Sequence, residues 1–217
     1  MEIQAENNLQ AWKKALKLVL EKGIDYTDVE GYPCKEVQNL MITITNPERD
    51  FTKPLAVMRM FEDWLYPSLE DIEQSLLDPA PVPVVEFAYG QRMFNYEGFD
   101  QVDDYVVELL KKKPSSRRAV VMVYNPLKDS RIESELAPSF MYLMFRVFNN
   151  SVNLTAHLRS NNLLFGLPAD FYQLWLLLSR ISEKLGLKTG SMTIISDYAY
   201  VFKDTEEKAR QIIETAR

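Results

Sequence analysis

Phe171 to Leu185 is apolar on most of its faces, and a helix of that kind must be covered on several sides. The chain therefore needs layers packed around it. The rest of the sequence offers β-rich segments for this. Val37 to Thr45 is β-branched and alternating, and ends at Asn46-Pro47. Arg118 to Tyr124 contains the buried-strand signal Ala119-Val120-Val121-Met122-Val123. Met141 to Phe148 and Val152 to Leu158 read as strands joined by Asn149-Asn150-Ser151, and Thr193 to Phe202 as the last strand. Helical patterns cover residues 8–22, stopped near Gly23, then Pro54 to about Leu65, 67–77 and 99–112, with Pro54 in a first turn. Pro79, Pro81 and Pro83 mark an irregular connection, and Tyr89-Gly90 opens a turn. Asp204 is expected to cap a polar terminal helix. The expected class is α+β, a mostly antiparallel or mixed sheet with packed helices, in a single domain over residues 1–217.

Composition narrows the function. A single cysteine, Cys34, excludes an internal disulfide and points to a reducing, cytoplasmic compartment; it reads as a buried structural thiol. One cysteine and one histidine exclude a zinc site of the usual kind, so no metal is expected. No apolar run reaches the length of a membrane span, and the residues after Met1 show no basic region before an apolar core; no membrane association is expected. A net charge of −6 argues against nucleic acid, which needs many phosphate-neutralising cations. A mononucleotide needs only a few.

Two segments supply them. Arg159-Ser160-Asn161-Asn162 puts a cation, a hydroxyl and two amides just before an abrupt Gly166-Leu167-Pro168 helix start. These groups suit a phosphate and the edge of a base. Ser115-Ser116-Arg117-Arg118 lies between a helix and a buried strand, and adjacent arginines there cannot both enter a core. The bland alternative is a solvated strand edge.

These motifs, in this order, resemble those of the thymidylate synthase and deoxycytidylate hydroxymethylase family. The resemblance runs from about Tyr89-Gly90 to Phe202, with weaker similarity over Gly31 to Pro47. It implies a thymidylate synthase-like fold that dimerises through its sheet. Arg159 and Ser160 would bind a nucleotide phosphate within the subunit, and Arg117 and Arg118 would reach the phosphate bound in the neighbouring subunit. That arrangement makes a two-fold dimer with shared sites. Tyr89 matches an active-site tyrosine. Asp170 stands where uridylate-using members carry Asn and cytidylate-using members carry Asp. A carboxylate matches the amino donor of cytosine; the alternative is a carboxylate flanking a helix start. Asn161 and Asn162 are assigned to the base and Tyr200 to the sugar. His157 resembles the cytidylate-type branch but suits a structural role. The implied carbon donor is 5,10-methylenetetrahydrofolate.

The reacting groups depart from the family pattern. Ser139, in Ala137-Pro138-Ser139-Phe140, stands where the family carries its nucleophilic cysteine. A hydroxyl without an adjacent base is a far poorer nucleophile than a thiolate. The catalytic glutamate has Glu62 as its nearest candidate. Tyr200 and Phe202 replace a His and Tyr pair, Asn162 replaces a pterin-binding Asp, and Glu30 replaces an arginine. Engineered replacement of a cysteine would explain Ser139 alone; natural divergence explains all of these changes. The leading expectation is one-carbon transfer to a cytidylate. The alternatives are a catalytically silent nucleotide binder, alone or as partner to a Cys-containing paralogue, and an enzyme that modifies an exocyclic amine without a thiol. A relic with only a structural role ranks last.

Overall fold

The structure, a computed structural model, describes residues 1–61, 65–80, 88–132 and 137–215. It begins with strand β1 (Glu2–Ala5), helix α1 (Asn8–Lys22), and strands β2 (Ile24–Thr27) and β3 (Pro33–Ile44). Helices α2 (Lys53–Met58), α3 (Leu69–Leu77) and α4 (Tyr89–Phe94) follow. A π-helical turn (Gln101–Val107) runs into α5 (Glu108–Lys112), then come β4 (Val120–Met122) and α6 (Pro126–Asp129). The long elements are β5 (Phe140–Phe148), β6 (Ser151–Asn162), α7 (Gly166–Leu185) and β7 (Lys188–Phe202), before a 3-10 turn (Lys203–Thr205) and α8 (Glu206–Glu214). The class is α+β with a mixed sheet, as expected.

Two compact units divide these elements: Met1–Tyr66 with Leu158–Trp175 and Ser191–Arg217, and Pro67–His157 with Leu176–Gly190. In the first unit the strands run β1-β3-β7-β6, and β2 also pairs with β3. β1 is parallel to β3, which requires a crossover, and α1 supplies it. Asn7 caps α1, its side chain accepting from the Gln10 amide at 3.0 Å. Leu9, Trp12, Leu16 and Val19 bury one face. At Gly23 a Cβ would stand 2.5 Å from the Val19 carbonyl oxygen, so the helix ends on the residue that fits.

Three neighbouring strands of this unit share an interruption. Val37 and Leu40 on β3 are buried, with Gln38 and Asn39 both turned outward. Ser196 and Ala199 on β7 are buried around Asp197 and Tyr198, and Leu158 and Asn161 on β6 around Arg159 and Ser160. The β3–β7 ladder skips the Asn39–Asp197 rung, where Asn39 takes φ 53°. Each strand thus turns two consecutive side chains away from the core, as a bulge does.

In the second unit β4 pairs antiparallel with β5, and β5 turns into β6 through Asn149 and Asn150, both at positive φ (48° and 59°). That is the backbone of a tight hairpin matched to strand twist. Val102, Val106, Leu110, Val121, Leu143 and Phe145 are buried here. A buried ion pair, Arg92 to Asp129 at 2.7 Å, joins α4 to α6.

Several boundaries differ from expectation. The helix from Pro54 stops at Met58. Tyr89-Gly90 opens a helix, not a turn, because Gly90 lets the chain press against α3: a Cβ there would lie 2.2 Å from the Asp78 carbonyl oxygen. The strand at 118–124 shrinks to Val120–Met122. Asp204 is exposed and caps nothing; the Thr205 hydroxyl bonds back to the Phe202 carbonyl at 2.9 Å and makes a 3-10 turn. β6 runs on past Leu158 to Asn162, while α7 begins at Gly166, at the expected Gly166-Leu167-Pro168 start. The connection marked by Pro81 and Pro83 lies outside the described residues.

Candidate functional site

The end of β6 and the start of α7 gather five of the expected residues in the first unit. A regular strand would bury one of two adjacent side chains. The interruption at Arg159-Ser160 leaves both partly exposed. Asn162 builds the turn that follows. Its Oδ1 accepts from the Leu164 and Phe165 amides, each at 3.1 Å, and its side chain also hydrogen-bonds Tyr200. Burial pushes the Tyr200 phenol above its ordinary range. Trp12 clamps the same turn from α1, donating to the Leu163 carbonyl at 2.6 Å.

Asn161 is 2% exposed. Its amide donates to the buried Ser196 hydroxyl at 3.1 Å, while its Oδ1 has no partner. Asp170, one turn into α7, is the second acceptor. Its Oδ2 and the Asn161 Oδ1 lie 3.9 Å and 4.0 Å from the point where a Cβ on Gly166 would stand. Two acceptor oxygens therefore converge on the bare face of that glycine. Burial pushes the Asp170 carboxyl up to about 7. Tyr66, absent from the sequence-based candidates, closes this corner by donating to the Phe165 carbonyl at 2.6 Å. Burial first, and the Asp170 charge second, hold its phenol well above the ordinary range. Tyr66 is far from α7 in sequence, and nothing local marks it.

Tyr89, Ser139, Arg117 and Arg118 belong to the second unit. The Tyr89 ring packs on Phe140, 4.8 Å between centroids, beside Ser139. Among the described residues no side chain hydrogen-bonds the Ser139 hydroxyl, and none activates it. His157 bonds the Tyr142 hydroxyl through Nδ1 at 2.9 Å, which suits its structural reading. Arg117 and Arg118 are exposed on a loop held by Tyr105, whose hydroxyl donates to the Arg118 carbonyl at 2.6 Å. Glu62 lies outside the described residues.

Cys34 is 2% exposed on β3; burial first, then Glu36 and Asp28, push its thiol up and make it a poor nucleophile. Among the described residues no group of three His, Cys, Asp or Glu could hold a metal ion. Nor is any described helix long and apolar enough to cross a membrane. Asn162 does not fit the pterin role carried by the family's aspartate, because its oxygen already accepts two backbone amides and its side chain bonds Tyr200.

The chain is similar to several known proteins. The family model described as Thymidylate synthase matches residues 81–217. A Methanosarcina mazei protein named "Putative thymidylate synthase" is 31% identical over 98% of this chain and 94% of its own length. A protein of the same name from Methanocaldococcus jannaschii is 31% identical over 78% of this chain and 77% of its own length. The "Deoxyuridylate hydroxymethyltransferase" of Bacillus phage SP01 is 27% identical over 90% of this chain and 57% of its own length.

Proposed function

Because the chain belongs to the thymidylate synthase family, we propose that it transfers a one-carbon unit to a pyrimidine mononucleotide, with a cytidylate (dCMP or CMP) preferred. The observation that carries the base preference is the pair of converging acceptors, Asn161 Oδ1 and Asp170 Oδ2, at Gly166. An exocyclic amine offers two donors to such a pair; the O4 of uracil offers none. Arg159 and Ser160 hold the phosphate within the subunit, and Arg117 and Arg118 reach it from the neighbouring subunit of a homodimer. Tyr200 faces the sugar; Tyr89 and Ser139 keep the roles that the resemblance implies for them. The phage relative's name specifies a deoxyuridylate, whereas the acceptor pair in this chain supports a cytosine.

The implied carbon donor is 5,10-methylenetetrahydrofolate. Asn162, already bonded to two backbone amides, does not fit the pterin role. Incubating the protein with dCMP, CMP and dUMP, each with the folate, tests the reading. Release of tritium from C5 of a cytidylate is expected, and release from dUMP alone would overturn the base assignment.

The Ser139 hydroxyl, without a hydrogen-bond partner among the described residues, favours a second reading. Attack at C6 needs an activated nucleophile. A member without one either modifies the cytosine amine, which is itself nucleophilic, or binds nucleotide silently, alone or beside a Cys-containing paralogue. Mass spectrometry of the products separates the first case, and calorimetric nucleotide binding without turnover identifies the second.

A further inference from the structure

Five cations, Lys112, Lys113, Arg117, Arg118 and Arg146, line one open groove of about 820 Å³ in the second unit, and no carboxylate among the described residues lines it. Lys112 lies 3.9 Å from Glu108. Among the described residues the other four form no ion pair. Several other cations of this unit are matched: Arg92 with Asp129, Arg180 and Lys184 with Asp103, and Lys128 with Glu97. In a chain of net charge −6, unneutralised positive charge is thus concentrated on one surface.

The groove is also a built one. The Ser116 amide donates to the Lys113 carbonyl at 2.9 Å, and the Arg118 amide to the Ser116 hydroxyl at 3.2 Å. Tyr105 fixes the Arg118 carbonyl, and Arg146 stands on β5. Lysines in the last turn of α5 complement that helix's dipole, which accounts for Lys112 but not for Lys113 or Arg146. Crowded like charges repel unless an anion joins them. A single phosphate dianion is satisfied by two arginine forks, and Arg117 and Arg118 supply those. Three cations are left over.

We infer that this groove takes a chain of phosphates, the di- or triphosphate group of a nucleotide, rather than a lone phosphate. This rests on the reading of Arg117 and Arg118 as nucleotide-phosphate ligands. The leftover cations then track the phosphates beyond the first, and the protein binds a cytidine triphosphate more tightly than the monophosphate.

Calorimetry on the full chain with inorganic phosphate, inorganic triphosphate, dCMP, dCTP and an RNA oligomer tests this. Triphosphate and dCTP are expected to bind at least about tenfold more tightly than phosphate and dCMP, the gap narrowing as salt screens the groove. The double variant Lys113→Ala, Arg146→Ala should abolish that gap while leaving dCMP affinity unchanged. Equal affinity for dCMP and dCTP would overturn the inference and leave the mononucleotide reading intact. Triphosphate binding without any nucleotide binding would support the groove and reject that reading. RNA bound more tightly than triphosphate would overturn the inference in favour of a polynucleotide surface.

Discussion

Asp170 is a carboxyl with two chemical identities near neutral pH. Protonated, it donates through O–H and accepts through C=O, and can pair with N3 and the amine of cytosine or with O4 and N3–H of uracil. Ionised, it only accepts, which keeps the cytosine amine and opposes uracil O4. Since burial raises it to about 7, preference for cytidylate over uridylate should grow as pH rises through that value. Competition binding at about pH 6 and pH 8, bracketing that midpoint, would show it; a flat ratio would sink the idea. The same shift bears on stability. The folded state holds this proton more tightly than the unfolded chain, so stability falls as pH rises from about 4 to about 7. Asp170→Asn should relieve on the order of 2 kcal/mol at pH 8, allowing for its partial exposure, and nothing at pH 4. Denaturant midpoints at the two pH values measure this, and the same variant should move base preference toward uridylate. Arg159→Ala should weaken nucleotide binding by about 2 kcal/mol in calorimetric titration, as loss of a charge-assisted hydrogen bond does.

Secondary-structure elements place these side chains by close approach. A Cβ on Gly90 would meet the Asp78 and Leu76 carbonyl oxygens at 2.2 Å and 2.7 Å, backbone atoms that cannot swing aside. Gly90→Ala should cost about 2 kcal/mol or more and push α4 off α3, shifting Tyr89 with it. Circular dichroism melts would register the loss, and an unchanged melt would contradict the contact. The long elements were legible because their periodicity is strong: α1, β5 and the body of α7 fall where apolar spacing puts them. β1 and β2 were missed because each is four residues long, too short to show a period. β6 seemed to end at Leu158 because alternation fails at Arg159-Ser160, and that failure is the interruption that exposes both residues. Asn161 and Asp170 were readable as polar candidates. Their convergence on Gly166 was not, because it depends on how β6 and α7 meet. Tyr66 and Arg146 gave no local signal at all.

At the scale of the whole molecule, shared sites make a prediction that a self-contained subunit would not. If Arg117 and Arg118 serve the neighbour's nucleotide, mixing an Arg159→Ala protein with an Arg117→Ala, Arg118→Ala protein should regenerate one intact site in each hybrid dimer. Restored nucleotide binding on mixing is the expected result; additive loss would show that each subunit keeps its phosphate to itself. The interruption carried side by side on β3, β7 and β6 has a consequence for how such a chain can change over time. A one-residue insertion or deletion beside it in any one strand would put that strand out of step with its two neighbours and swap core for surface along its length. Length change is therefore closed to this sheet, and new substrate preferences must arise by exchanging side chains in place.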